Sequence, residues 1–169
     1  MSARGGKVDW SAPFERLDAG SRFRTRGRTV TESDVVSFAA LTGDWHPQHA
    51  DAEWAAQSRF GERIAHGMLI VSYAVGLLAF DPERVVALRR VADVVFKRPL
   101  KLGETITVDG KLVDLLALDD DVGLVGCALS ILNQDGALVC RARLDVIWRR
   151  GEPATATEPF SRERGVVPC

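Results

Sequence analysis

Apolar residues recur along this chain at two spacings, and the change from one to the other marks its architecture. Thr31-Glu32-Ser33-Asp34 has the form of a capping box, and Val35, Phe38, Ala39 and Leu41 follow at helical spacing. A short helix is predicted, ending near Thr42-Gly43. Asp51 ahead of Ala52-Glu53-Trp54-Ala55-Ala56 predicts a second short helix with Asp51 as its N-cap. Residues 43–50 then read as a loop pinned between two helices. Residues 67–80 (GMLIVSYAVGLLAF) are apolar on every side. They are fewer than the ~20 that a membrane crossing needs, so they read as a buried core helix.

From Val85 to Trp148 the pattern changes to Val-, Leu- and Ile-rich runs. Turn residues break these runs at Pro99 to Gly103, at Asp119-Asp120-Asp121 and at Asn133-Gln134-Asp135-Gly136. Four strands in succession result, and residues 22–31 add a fifth ahead of the helices. Asp109-Gly110 interrupts one run without clear flanking turns and reads as a bulge, with a tight hairpin as the alternative. A fully apolar helix followed by antiparallel strands makes an α+β domain. A curved sheet of about five strands wrapped around the helix would cover it, with the short helices carrying the loop between them. Residues 1–12 and 151–169 lack apolar periodicity and read as flexible arms on either side of one domain, residues 13–150.

With 169 residues, 46% of them hydrophobic and 27% charged, the chain suits a single soluble globular domain. Lys plus Arg number 22 against 23 Asp plus Glu, which leaves no global field to gather nucleic acid. The start, MSARGGKVDW, has no apolar h-region, so neither export nor a membrane anchor is indicated and a cytoplasmic location is the expectation. Cys127, Cys140 and Cys169 are odd in number and lack C-x-x-C spacing. They read as two strand residues and a terminal thiol rather than a disulfide framework or a zinc site.

The histidines, His46, His49 and His66, all fall between Gly43 and Met68. In Gly43-Asp44-Trp45-His46-Pro47-Gln48-His49-Ala50-Asp51, Pro47 stiffens a loop that carries a carboxylate, Asp44, and an imidazole, His49. Such a pair can hold one water between them, one group accepting its proton while the other donates, as hydration of a double bond requires. Ile64-Ala65-His66-Gly67-Met68 lies where the apolar helix begins. Free N–H groups point outward there, and Gly67 would let a thioester carbonyl approach its N–H closely. A metal reading of Asp44, His46, His49 and Asp51 is weakened because Asp51 is committed to starting a helix, which leaves only His66 as a further ligand. No metal and no separate cofactor are expected. Taken singly, Asp44 would be a turn residue and His49 a structural histidine. Phe38, Trp45, Phe60, Met68 and Tyr73 would be core, although apolar residues also wall acyl tunnels.

The stretch TESDVVSFAALTGDWHPQHADAEWAAQSRFGERIAHGMLIVSYAVGLL resembles the MaoC-like family of (R)-specific enoyl-CoA hydratases and dehydratases, which have the hot-dog fold. The resemblance runs from about Phe14 to Trp148 and is carried by GDxxPxHxD and IxHGM. It implies that Asp44 and His49 are the catalytic pair that activates water, that Gly67 is the oxyanion-hole glycine and that His66 supports the site. It also implies an acyl-thioester substrate, with coenzyme A or the phosphopantetheine of an acyl carrier protein as part of that substrate, and a homodimer or higher oligomer. Phe60, Met68, Lys97 and Arg98 are candidate substrate-binding residues. Two positions depart from the pattern: His46 stands where family members usually have Asn, and Val75 where many hydratases have a small hydroxyl residue. Arg89, Arg90, Lys97, Arg98 and Lys101 cluster around one strand and its turn, either as a solvated face or as partners for phosphate. Two other functions fit the same fold. A thioesterase usually carries a carboxylate on or near the central helix, and residues 67–80 contain none. For a non-catalytic thioester-binding or scaffold subunit, retention of both Asp44 and His49 argues against the reading, while Val75 keeps it open.

Overall fold

The first helix begins where its capping residues dictate. In the computed structural model, which describes residues 6–151, the Asp34 N–H donates to Thr31 Oγ1 at 3.2 Å and the Thr31 N–H donates to Asp34 Oδ2 at 2.8 Å. Two of the free N-terminal donors of α1, Glu32–Thr42, are satisfied in this way. The helix ends at Gly43, whose φ of 78° lies in the left-handed region that only glycine enters without strain. The segment expected to be a plain loop contains one helical turn, α2, Pro47–Ala50. Proline at the first helical position and a His46 ring that accepts the Gln48 N–H at 3.2 Å are what start it. α3, Ala52–Gln57, starts at Asp51 as anticipated, with Asp51 Oδ1 accepting the Trp54 N–H at 3.0 Å.

The region between β1, Arg22–Arg24, and β2, Arg28–Thr29, was expected to be one strand and is two, both antiparallel to the same neighbour. Thr25 makes the break, because its own Oγ1 accepts the Val108 N–H at 2.9 Å in place of a backbone carbonyl. The four later strands appear as read: β3, Val85–Phe96; β4, Thr105–Ala117; β5, Val122–Leu132; and β6, Leu138–Arg149. The described residues therefore form a six-stranded sheet in the order β1-β4-β5-β6-β3, with β2 also on β4. Gly110 is neither bulge nor hairpin. It stays in register between Phe23 and Leu129, and the irregularity in β4 falls between Leu112 and Asp114. Glycine is needed because the Phe23 ring lies over it, with a ring carbon 2.2 Å from where a Cβ would stand.

The sheet curves around α4, Gly67–Leu77, which buries Leu69, Ile70, Val71 and Ala74 against Ile106, Val108, Val125, Cys127, Leu129, Leu144 and Val146. This is the hot-dog arrangement. Each fully buried aliphatic side chain contributes about 1.5–3 kcal/mol, so the helix is held by its packing rather than by its caps. Burial is one-sided, however: Met68, Ser72 and Gly76 form an exposed stripe, so the helix is not enclosed on every side within one chain. Tyr73 ties α4 to α1, donating to Asp34 Oδ1 at 2.6 Å beside Arg28. Burial opposes charge on Asp34, but bonds from Tyr73 and Thr31 and the nearby Arg28 outweigh it and hold the carboxyl at about 2. Cys127 and Cys140 are buried strand residues, and burial pushes the Cys127 thiol up to about 12. Cys169 and residues 152–169 lie outside the described residues.

Residues 7–12, expected to belong to a loose arm, are docked. Val8 and Ala12 are buried, and Trp10 packs edge-on against Phe23 at 4.9 Å and Phe80 at 5.4 Å. The Trp148 indole N–H donates to Ala12 O at 2.9 Å, and Arg84 Nε donates to Ser11 O at 2.8 Å. A short polar sequence gave no sign of this, because the partners of Trp10 lie far along the chain. Trp10→Ala should therefore lower stability by about 3 kcal/mol in chemical denaturation. A loss below about 0.5 kcal/mol would mean that the segment adds nothing to the core.

Candidate active site

Asp44, His49 and His66 line one cavity of about 680 Å³, with donor atoms within 4.8 Å of one another. The turn after Gly43 presents Asp44, whose N–H donates to Thr42 Oγ1 and whose Oδ1 accepts the His46 N–H, each at 3.3 Å. Its carboxylate is 52% exposed, whereas His49 is buried. α2 delivers His49 with its Nδ1 at 2.7 Å from Ile64 O. A carbonyl only accepts, so the hydrogen sits on Nδ1 and Nε2 carries the lone pair, which accepts the Gln48 side-chain amide at 3.0 Å and must give up that bond to take a proton from water. Burial, reinforced by nearby His66 and His46, lowers the His49 pKa against the raising effects of the Ile64 bond and the Asp44 charge, which favours the neutral imidazole.

His66 is the N-cap of α4 and is buried. Its Nε2 lies 2.9 Å from Asp44 O, which places the ring hydrogen on Nε2 and ties the start of α4 to the Asp44 turn. Its ring stacks on His49 with centroids 3.8 Å apart and planes 26° apart. An imidazole lone pair lies in the ring plane, so two nearly parallel rings cannot both aim at one ion. The cluster suits proton handling better than metal ligation.

His46 braces the loop, capping α2 and meeting Trp54 edge-on at 5.4 Å. Asp51 serves as a cap for α3. Val75, the second departure, packs against the core and does not line the cavity. Phe60, Met68, Lys97 and Arg98 do line it, together with Phe38, whose ring is 5.1 Å from His66. The anticipated basic cluster divides. Lys97 and Arg98 face the cavity, while Arg90 is bound to Asp145 at 2.6 Å and Lys101 to Glu62 at 2.6 Å.

Two residues of the site escaped the sequence reading. Gln48 donates its side-chain amide to His49 Nε2 at 3.0 Å, and no helical spacing rule pairs adjacent residues. Phe96, at the end of β3, lies against Gly67, with a ring carbon 2.6 Å from where a Gly67 Cβ would stand. The space beside Gly67 is thus filled by a half-exposed aromatic ring, and the N-cap side chain makes no bond to the helix. Gly67→Ala should destabilise the chain by about 1–3 kcal/mol through overpacking and should be nearly neutral in a Phe96→Ala background. Thermal unfolding of the two single variants and the double variant measures the coupling. Additive losses would show that the ring imposes no constraint on Gly67.

Comparison with known proteins gives the family of the chain. Residues 16–124 match the family model described as the MaoC like domain. The chain is 42% identical over 96 residues to Protein MaoC of Klebsiella aerogenes, covering 56% of this chain but 29% of that longer protein. It is 32% identical over 124 residues to an (R)-specific enoyl-CoA hydratase of Aeromonas caviae, covering 73% of this chain and 90% of that one. Among solved structures, a monoamine oxidase regulatory protein from Archaeoglobus fulgius superposes with a TM-score of 0.78 at 36% identity, over 83% of this chain and 95% of that one. The chain belongs to the MaoC-like family, which places it among relatives named as hydratases and dehydratases.

Proposed function

We propose that this protein adds water to α,β-unsaturated acyl thioesters, giving (R)-3-hydroxyacyl thioesters, and catalyses the reverse dehydration. The observation that carries the reading is a buried, neutral His49 of fixed tautomer facing the Asp44 carboxylate beside an apolar cavity. With their polar atoms within 4.8 Å of each other, the two groups can share one water in the proposed reaction. As a proton leaves it for this pair, its oxygen bonds to the β-carbon and the alkene electron pair moves toward the thioester carbonyl. The resulting enolate oxygen is met by the Gly67 N–H at the start of α4, and a proton returned to the α-carbon completes the addition. Asp44 and His49 act as a coupled pair, so the acid and base roles belong to the pair. The R stereochemistry rests on the names of relatives such as the Aeromonas caviae hydratase.

The test is a panel of short enoyl-CoA substrates followed for loss of enoyl absorbance and for release of free thiol. Loss of absorbance without thiol is the expected result. Thiol release would mean a thioesterase, and no reaction with any member would favour a non-catalytic thioester-binding subunit. Asp44→Asn and His49→Ala should each lower turnover by about 10² or more with the fold intact, and the double variant should be little worse than the poorer single one. Multiplicative losses would show that the two do not act on one water.

We also propose that the chain works as a dimer or larger assembly. β3 lies at one edge of the sheet with Val86, Leu88, Val91 and Phe96 exposed, and its last residue, Phe96, lines the cavity. A second copy paired along this edge would cover it and add a wall to the cavity. Light scattering at micromolar concentration should give at least a dimer, and a monomer that retains full activity on dilution would refute it.

A further inference from the structure

Both nitrogens of the His49 ring are occupied. Nδ1 donates to Ile64 O at 2.7 Å, and the Nε2 lone pair accepts the Gln48 side-chain amide at 3.0 Å. A neutral imidazole has one lone pair, so the ring has no second acceptor position to offer. Asp44, His46 and His66 are the titratable groups that act on His49, from the turn after α1, the N-cap of α2 and the N-cap of α4. Among the described residues, however, Gln48 is the one hydrogen-bond partner of Nε2. Its backbone is held on both sides: the Gln48 N–H donates to His46 Nδ1 at 3.2 Å, and Gln48 O accepts the Ile64 N–H at 3.1 Å. Its side chain is held only by the ring. That side chain is half-buried and lines the cavity, and among the described residues its amide bonds to nothing but His49. Rotation about the side-chain torsions is enough to take the amide off the ring while α2 stays in place.

A buried base meets two opposed demands. In the free protein its lone pair needs a donor, because an unmet buried acceptor is costly. In the loaded protein the same lone pair has to be open to the proton of a water. A donor carried on a side chain that can turn away meets both. We infer that Gln48 is a removable cap on His49: its amide holds the Nε2 lone pair in the free protein and swings aside when substrate and water enter, so that the base is uncovered only in the loaded cavity. This rests on the hydration reading for the identity of what enters, whereas the cap itself rests on the hydrogen bond. Gln48 is thus a positioning residue that acts through His49 and supplies no atom to the reaction. A capped lone pair is also withheld from any other electrophile that reaches the cavity, which makes the cap measurable without a substrate.

The experiment is limited modification of the full chain with diethyl pyrocarbonate, which acylates the lone-pair nitrogen of a neutral imidazole, with each histidine followed by peptide mass. Exposed His46 is the internal standard, because its Nδ1 is bonded to the Gln48 backbone and not to the side chain. Gln48→Met keeps nearly the same volume but has no donor, so His49 should react about fivefold or more faster relative to His46. Gln48→Glu sets a carboxylate against the lone pair, which draws a proton onto Nε2 and should slow His49 below the unmodified chain. Opposite signs are the signature of the cap, since a loosened loop would speed both variants. Equal rates in the three chains, or faster reaction in both variants, overturns it. A readout that needs no variant is the scalar coupling across the hydrogen bond between the Gln48 side-chain nitrogen and His49 Nε2 in the nitrogen-15-labelled chain, and its absence also overturns the cap. Hydration of an enoyl-CoA by the unmodified chain is scored separately. Opposite signs without hydration leave the cap standing and remove the hydratase reading, and hydration without them does the reverse.

Discussion

The site depends first on one buried hydrogen bond, from His49 Nδ1 to Ile64 O at 2.7 Å. It fixes the tautomer of the imidazole, and it joins α2 to the segment that becomes α4. The joint is doubled, because the Ile64 N–H donates to Gln48 O at 3.1 Å. The Ala65 N–H donates in turn to Leu100 O at 2.8 Å, so the same segment is anchored to the chain that leaves the edge strand. Without the Ile64 carbonyl, a buried ring nitrogen would be left unsatisfied at a cost of about 1–3 kcal/mol, and the ring would be free to present either nitrogen to the cavity.

A second joint, His66 Nε2 to Asp44 O at 2.9 Å, closes the loop in the other direction. Each half of the candidate pair is thus held by a residue of the segment leading into α4, Ile64 or the N-cap His66, and α4 is held by the sheet. This explains how a loop of few residues can position chemistry. The loop is cross-linked twice to a helix whose Leu69, Ile70, Val71 and Ala74 are buried, so moving Asp44 or His49 means disturbing the core.

What could be read from the chain alone was whatever depends on near neighbours. Thr31, Gly43 and Asp51 act on groups within four residues, and the caps appear where their sequence put them. The apolar run that becomes α4 and the four long strands follow from periodicity and turn residues. Asp44, His49, His66 and Gly67 stood out because rare residue types crowded into one stretch and matched a family pattern. What stayed hidden depends on distant partners. Phe96 meets Gly67 from the far edge of the sheet, Phe23 takes the space over Gly110, and Trp10 finds Phe23, Phe80 and Trp148. Gln48 was hidden for the opposite reason: it sits beside His49 in sequence, and only the short α2 turn brings its amide round to the ring.

The different surroundings of the two groups explain why they would work as a unit. Burial disfavours a charged imidazole and is the largest influence on His49, so the ring by itself is a weak base. A carboxylate about 5 Å away would stabilise its protonated form by roughly 3 kcal/mol at an effective dielectric constant of about 20, and by less where water screens it. Asp44 is half exposed, so this attraction falls short of the burial effect, in keeping with the lowered pKa. Closing the cavity over a bound thioester would remove that water and strengthen the attraction at the moment a proton has to be taken up. In such an arrangement, the free protein keeps His49 neutral, and in the proposed reaction a bound thioester would let the Asp44–His49 pair take up a proton together. Asp44 lines the cavity with its carboxylate half exposed, so substrate binding would change how much solvent it sees.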